Sequence, residues 1–228
     1  MESMYNLRER VPESQPFSEI NGVRQYDLSM RKSALMAYQK PARRILELIK
    51  QGMTDIVEVG VNTGLLSLYI GGKHPGIAVS GIEENRNLLE VAEENLNLSV
   101  WANTRANVEF ELGKLSKLPF ADQSADIVFS FSSLHMWKRP VETLKECQRI
   151  CKPDGIVIIE DMNRLADEGH ITFVLQFLKE GAKDFMTALG ASYSPEDVRQ
   201  LLNEAGLPDW HVYEEDLGLI VSSRSLSL

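Results

Sequence analysis

Along most of the chain, short apolar runs alternate with amphipathic segments. The runs Ile56–Val59, Ile77–Ile82, Val108–Leu112, Ile127–Ser130 and Ile156–Ile159 are dominated by Val, Ile and Phe. That is the composition of parallel strands buried on both faces. Between them the spacing predicts helices over Leu65–Ile70, Asn87–Leu98 and Val141–Cys151. In the second of these, Leu88, Val91, Ala92 and Leu96 share a face while Glu90, Glu93 and Glu94 point away. Strand–helix alternation of this kind builds a parallel sheet with right-handed crossovers.

The two ends depart from that rhythm. Residues 1–22 contain Pro12, Pro16 and Gly22 and read as short helical pieces and loop. From Val23 to Gln51 the pattern is helical, with a break expected at Pro41 and a stop at Gly52; Ile45, Leu46, Leu48 and Ile49 form its apolar face. Beyond the fifth strand, residues 162–192 predict two helices rather than one crossover, carrying Ile171, Val174, Leu175 and Leu178, then Phe185, Met186 and Leu189. Ser194-Pro195-Glu196-Asp197 is a helix start, with Ser as N-cap and Pro at the first helical position. Its helix carries Val198, Leu201 and Leu202 and stops at Gly206. The runs Trp210–Glu214 and Leu219–Ser223, joined at Asp216-Leu217-Gly218, predict an antiparallel hairpin that closes a sheet edge. The expected fold class is α/β: a Rossmann-like doubly wound sheet of seven strands, mostly parallel. A helical cap over residues 1–52 would join a body over 53–228, with a helical insertion at about 162–192, in one structural domain.

Composition narrows the function. Among 228 residues, 24 Lys+Arg face 33 Asp+Glu, a net charge of −9. This argues against a non-specific nucleic-acid binder, which needs a basic footprint. The longest uncharged stretch, Val59–Gly72, is shorter than the ~20 apolar residues that span a bilayer. Met1–Ser14 carries Glu2, Arg8, Glu9, Arg10 and Glu13 and has no apolar core of a signal peptide. A soluble, cytoplasmic protein without a membrane partner is expected. Residues 1–52 carry a balance of +3 and residues 53–228 one of −12, so a mildly basic arm adjoins an acidic body. Cys147 and Cys151, four apart on a helix face with Leu144, read as buried reduced thiols rather than a metal site.

The strongest chemical signal is Asp55-Ile-Val-Glu58-Val-Gly60-Val-Asn62-Thr63-Gly64, a buried strand running into a glycine turn that opens a helix. Gly60 lets a ligand approach the backbone and Gly64 permits tight helix–strand packing. Gly81-Ile82-Glu83 then ends the second strand, and Glu83 lies 23 residues after Gly60. A carboxylate there can accept from both hydroxyls of a ribose, so turn and acid together point to a nucleoside-containing cofactor.

Glu58–Gly64, Gly81-Ile82-Glu83, Gly113–Phe120 and Ala125–Asp161 resemble, in order, the motifs of class I S-adenosylmethionine-dependent methyltransferases. The similarity is to the small-molecule branch that holds the type 11 and quinone-ring methyltransferases, and it spans about residues 25–225. It implies S-adenosyl-L-methionine as cofactor and S-adenosyl-L-homocysteine as product. By position, Glu58 would orient the glycine turn (Gly60, Asn62, Gly64) and meet the ammonium, with Gly60 beneath the methionine portion. Glu83 would hold the ribose, Glu84 would lie near adenine, and Lys114 and Leu115 would contact its edge. Ser130 would meet the methionine portion and Tyr26 would cover the cofactor. Two positions depart from the family pattern. Asn62 stands where glycine is usual, and asparagine tolerates left-handed backbone angles. Lys114 stands where an aspartate commonly accepts from the adenine amino group; lysine has no acceptor, so other contacts must hold adenine.

The implied reaction moves a methyl group to a small-molecule acceptor by in-line displacement, in a monomer or homodimer. His135, in Ser133-Leu134-His135-Met136-Trp137, and Asp161, just past the fifth strand, are the catalytic candidates. His170 in the insertion could reach substrate, whereas His74 and His211 read as surface residues. Substrate class would be set by residues 1–40 and 162–192, where Met30, Met36, Met162, Phe173, Phe177, Phe185, Met186 and Tyr193 offer adaptable apolar surface. The alternative is a non-catalytic or regulatory S-adenosylmethionine-binding protein, kept open by Asn62 and Lys114. A nicotinamide-dependent oxidoreductase fits the terminal hairpin and the Leu-His-Met-Trp loop poorly.

Overall fold

Seven strands pair into one sheet: β1 (Asp55–Val59), β2 (Ala78–Glu83), β3 (Val108–Leu112), β4 (Ala125–Phe131), β5 (Cys151–Met162), β6 (His211–Glu215) and β7 (Gly218–Ser222). The computed structural model of the chain describes residues 4–13, 17–32, 34–99, 107–178 and 181–227, with 34–36 described by backbone alone. The spatial order is β3-β2-β1-β4-β5-β7-β6. Strands β1 to β5 pair in parallel, and β7 runs antiparallel to both β5 and β6. Strand order reverses between β1 and β4, which opens the crevice where ligands of such sheets bind.

Among the described residues eight α-helices accompany the sheet: α1 (Ile20–Lys32), α2 (Ala34–Leu48), α3 (Leu65–Lys73), α4 (Arg86–Asn97), α5 (Pro140–Ile150), α6 (Glu168–Phe177), α7 (Ala182–Ala191) and α8 (Pro195–Ala205). Alternation along the strands sorts the core into two layers even though the central strands β1 and β4 are buried along nearly their whole length. Val57, Val59, Val128, Val157 and Ile159 pack with Leu144 and Cys147 of α5 and Val198 and Leu202 of α8. Ile56, Ile127, Phe129 and Ile158 pack on the opposite face with Ile45 of α2 and Leu66 and Ile70 of α3. Each fully buried aliphatic side chain contributes about 1.5–3 kcal/mol over an exposed one. Outside this sandwich, Val23 of α1 packs on Leu88 and Val91 of α4.

Several boundaries differ from the sequence pattern. The expected break at Pro41 is absent: α2 runs through it. Pro41 and its neighbours Ala42 and Ile45 are buried, so packing of that face outweighs the lost backbone hydrogen bond. The helix ends at Leu48, short of the stop expected at Gly52. No helix precedes Ile20 among the described residues. Cys151 is not on a helix with Cys147; it opens β5, where it pairs with Ala125 before the register shifts. β5 outruns its apolar core because Ile158–Met162 also pair with β7. The start of α8 is as read: Ser194 Oγ accepts from Asp197 N at 3.2 Å and Asp197 Oδ2 accepts from Ser194 N at 2.8 Å. Among the described residues no helix is long and apolar enough to cross a membrane.

Candidate functional site

The turn after β1 is built on three left-handed residues, Gly60 (φ 77°), Asn62 (φ 56°) and Gly64 (φ 76°). Gly60 N donates to the Ile82 carbonyl at 2.9 Å, tying the turn to β2. A Cβ on Gly60 would fall 1.9 Å from Ser133 Oγ, so it is the loop after β4, rather than a ligand alone, that requires glycine there. Gly64 lies against the Phe110 ring and Ala92, the close helix–strand approach expected of it. Asn62 uses its side chain as well as its backbone: Nδ2 donates to the Phe131 and Ser132 carbonyls at 3.1 Å, joining the turn to the end of β4.

Asn95, which the sequence reading passed over, braces the same turn from α4. Its Nδ2 donates to the Thr63 carbonyl at 2.8 Å and to Asp27 Oδ1 at 2.9 Å, and Asp27 Oδ2 accepts from Arg31 Nε at 2.7 Å. α1 is thus clamped beside the crevice by a buried polar network. The available signal was a polar residue inside an apolar stripe: Asn95 is buried while Leu96, counted on that face, is only half-buried.

Two carboxyls close the floor of the crevice. Glu58 is buried at the end of β1 and accepts from Ser67 Oγ of α3. Burial pushes its pKa up to about 8, against the Ser67 hydrogen bond and helped by the charge of Glu83. Glu83 accepts from Asn85 N at 2.9 Å and from Asn62 N at 3.0 Å, and burial pushes it up to about 7 despite those donors. Neither carboxyl meets a lysine or arginine among the described residues. Next to Glu83, Glu84 accepts from Leu115 N at 3.3 Å and lies 3.4 Å from Lys138 Nζ. Leu115 is buried there, whereas Lys114 is exposed. Three enclosed polar atoms in this region have no partner among the described residues: Asn62 Oδ1, Thr63 Oγ1 and Ser130 Oγ, at the ends of β1 and β4.

Aromatic residues of the cap reach the same crevice. The Tyr26 ring lies 4.8 Å from that of Phe17. Burial holds the Tyr26 hydroxyl far above the usual tyrosine range, against a hydrogen bond with Ser132, and the charges of Asp161, Asp27 and Glu83 act the same way. Tyr38, its ring 5.3 Å from that of Phe131, is raised by burial and by the proximity of Tyr26 and Glu58.

Beyond β4, a single helical turn (Leu134–Met136) presents His135 to the end of β5. Asp161 lies there one residue past Glu160, which pairs with Phe131. His135 Nδ1 is 2.9 Å from both Asp161 oxygens, and Asp161 Oδ2 accepts from His135 N at 2.8 Å. The structure thus brings the two catalytic candidates into one buried pair. Burial lowers the His135 pKa, but the Asp161 carboxylate outweighs it and leaves it raised.

The N-terminal segment straps across this pair. Arg10 donates to the Ala191 carbonyl at 2.6 Å and to the His135 carbonyl at 3.0 Å, with its guanidinium 3.9 Å over the Tyr193 ring. Arg164, buried after β5, donates to the carbonyls of Leu7 and Arg8 at 2.6 Å, to Ser192 O at 3.2 Å and to Asp197 Oδ2 at 2.6 Å. Replacing Arg164 by Ala strands those acceptors, at about 1–3 kcal/mol for each left buried. We expect Arg164→Ala to free residues 4–11 and sharply increase cleavage there in limited proteolysis, while the sheet stays protected; wild-type resistance would contradict the strap.

Other candidates fall elsewhere. His170 is exposed and lies near Asp216. His74 and His211 are exposed, as read. Phe173 and Phe177, 4.9 Å apart on α6, stand 53% and 63% exposed, so this part of the apolar insertion does not line the crevice. The Met36 side chain lies outside the described residues.

These features define a doubly wound α/β protein whose crevice, at the switch of strand order, suits a nucleoside-containing cation. Comparison with known proteins is more particular. Residues 57–159 match the type 11 family model described as a methyltransferase domain. The chain is 33% identical over 113 residues to an uncharacterized methyltransferase of Schizosaccharomyces pombe, covering 49% of this chain and 41% of that protein. It is 27% identical over 141 residues to the demethylmenaquinone methyltransferase of Thermotoga maritima, covering 60% of this chain and 56% of the relative. The chain therefore spans about half the length of these curated relatives. Its fold matches that of a SAM-dependent methyltransferase from Aquifex aeolicus, with a TM-score of 0.62 at 22% identity over 90% of this chain and 97% of that one. The chain thus matches a methyltransferase domain over residues 57–159 and shares the fold of solved S-adenosylmethionine-dependent methyltransferases.

Proposed function

We propose that this chain is a methyltransferase that transfers the methyl group of S-adenosyl-L-methionine to a small-molecule acceptor, leaving S-adenosyl-L-homocysteine. One observation carries the reading: beside the crevice, two buried carboxyls without a cationic partner among the described residues accompany three enclosed polar atoms without any partner there. Buried polar groups are nearly always satisfied, so such a cluster marks a ligand that is both cationic and rich in hydrogen-bonding groups. When bound, the cofactor supplies a methyl group made electrophilic by its sulfonium.

The chain's own residues bind, orient and exclude water. Glu83 takes the ribose hydroxyls, Ser130 and Thr63 meet the methionine portion, and Glu58 provides negative charge toward the ammonium. Gly60 and Gly64 shape the turn, and Asn62 holds it to β4. Leu115 packs against the adenine edge. Glu84, which already reaches the Leu115 amide, supplies the acceptor that Lys114 lacks. Tyr26 covers the cofactor from the cap. Alignment for displacement is worth about 7–11 kcal/mol, so it dominates the rate.

We read residues 1–52 as a cap on the 53–228 body, the chain as a cytoplasmic monomer or homodimer, and its acceptor as a small molecule rather than a nucleic acid. A second reading, a regulatory S-adenosylmethionine-binding protein, is favoured by one feature: the Asn62 side chain bridges the crevice to the Phe131 and Ser132 carbonyls. Calorimetry tests the shared step and is expected to show saturable binding of S-adenosylmethionine and S-adenosylhomocysteine; absence of both would sink either reading. Binding without methyl transfer across a broad metabolite panel would select the second.

A further inference from the structure

The geometry points to Asn95 as a positioning residue that latches helix α1 to the glycine turn after β1, so that a ligand on the turn and the cap helix order one another. This rests on the S-adenosylmethionine reading of the crevice and goes beyond it by assigning a physical route from the crevice to the cap.

The orientation of the Asn95 amide is set by its partners. The Thr63 carbonyl and the Asp27 carboxylate only accept, and the Arg31 guanidinium only donates. Nδ2 therefore faces Thr63 O at 2.8 Å and Asp27 Oδ1 at 2.9 Å, while Oδ1 accepts from Arg31. Both amide hydrogens and the amide oxygen are engaged. Asp27 Oδ2 accepts from Arg31 Nε at 2.7 Å, which closes a ring of three side chains. Asn95 and Asp27 are both buried, so each lost bond strands a polar group away from water, and the ring opens or closes as a unit.

The ring lies where α1 seats on α4. Val23, Asp27 and Arg31 recur every four residues and share a face of α1, and Val23 packs on Leu88 and Val91 of α4. Val23 and Asp27 are the buried residues of α1, so a carboxylate occupies half of its buried stripe. The Arg24–Glu94 ion pair on the same helices is exposed on both sides and adds little. One residue before Asp27, Tyr26 hydrogen-bonds Ser132 at the end of β4. Helix α1 thus bridges the two walls of the crevice, held by Asn95 on one and by Ser132 on the other.

Thr63 is the shared element. Its carbonyl is held by Asn95, whereas its Oγ1 and the neighbouring Asn62 Oδ1 are enclosed and have no partner among the described residues. A ligand that supplies those missing bonds fixes the turn. The fixed carbonyl then holds the Asn95 amide, and the amide holds Asp27. The converse follows by linkage: whatever factor the ligand adds to the seating of α1, the seated helix adds to the affinity for the ligand. Couplings of this kind are about 5–150-fold.

The test uses the full chain with S-adenosylhomocysteine as the probe. Hydrogen exchange of residues 20–32, followed by mass spectrometry, is expected to slow by about 5–150-fold when the probe saturates the protein. Two variants cut the latch from opposite ends: Asn95→Leu in α4, and Asp27→Leu in α1, which leaves the bond to Thr63 in place. Each is expected to remove most of that protection and to weaken calorimetric affinity for the probe by about the same factor. The double variant should lose no more than either single one, because both break one ring. Wild-type affinity in Asp27→Leu, or additive losses in the double variant, would show that Asn95 only supports the turn and would overturn the coupling. So would α1 exchange in the wild type that the bound probe does not change, a result that depends on no variant. If the wild type binds neither S-adenosylhomocysteine nor S-adenosylmethionine, the cofactor reading falls and the coupling with it; binding without protection of α1 removes the coupling alone.

Discussion

Glu83→Ala is expected to weaken S-adenosylmethionine binding by about 100-fold or more. A hydrogen bond to a charged group contributes about 1.5–3 kcal/mol, and a ribose diol makes two, while each 1.4 kcal/mol is tenfold in affinity. The substitution also frees Asn62 N and Asn85 N, which hold the turn and the start of α4. Glu83→Gln should fall between the two, because it keeps an acceptor and loses the charge. The same carboxyls make binding depend on pH. In the ligand-free protein burial raises Glu58 to about 8 and Glu83 to about 7, above their ordinary 4.5. The native state therefore holds more protons than the unfolded chain as pH rises from about 4.5 to 8, and these two groups make the free protein less stable across that window. A cationic ligand requires the carboxylates, so it must displace those protons. Calorimetry in buffers of different ionisation enthalpy should show net proton release at pH 7, with tighter binding at pH 8 than at pH 6. Binding indifferent to pH, together with wild-type affinity in Glu83→Ala, would remove these carboxyls from the site.

Gly64→Ala is expected to destabilise the protein by about 2–5 kcal/mol, a large share of the 5–15 kcal/mol typical of a domain. Two independent costs add. Holding a Cβ in the left-handed region at φ 76° costs about 1–2 kcal/mol. The new Cβ would sit 2.7 Å from Phe110 Cζ and 3.2 Å from Ala92 Cβ, so β3 and α4 must both give way, an overpacking cost of about 1–3 kcal/mol. Denaturant unfolding with an unchanged m-value measures the loss; a change under about 1 kcal/mol would show that the turn relaxes freely. The turn opens the candidate site, so the variant should also bind S-adenosylmethionine less well at temperatures where it remains folded.

The cores of β1 and β4 were legible because parallel strands buried on both faces leave continuous apolar runs. The edge strand β3 was read to the residue from its alternation of apolar and acidic positions, only Val108 being buried. The capping box at Ser194 was legible because its whole geometry lies within four residues. Glu83 was legible by its spacing from Gly60, since β1, α3 and β2 form one crossover of fixed size. Pro41 misled because local propensity argues for a break, and only the buried face of α2 shows why the helix continues. Gly60 was assigned to ligand approach, yet the atoms that exclude a side chain belong to Ser133, a residue of another loop.

By itself the sequence determined the elements, their α/β order and the terminal hairpin, and it singled out the acids and glycines of the turn after β1 and the end of β2 as candidates, all of which rest on periodicity or on chemistry within one crossover. Only the tertiary structure decided which distant groups meet. His135 and Asp161 were separate candidates until the register of β4 against β5 set them 2.9 Å apart. Asn95 could not be linked to Thr63 and Asp27, nor Arg10 and Arg164 to the strap over the dyad, before the helices had packed. Hydrogen bonds and desolvation act over a few ångströms, and chain distance says nothing of them until the sheet fixes which ends lie side by side.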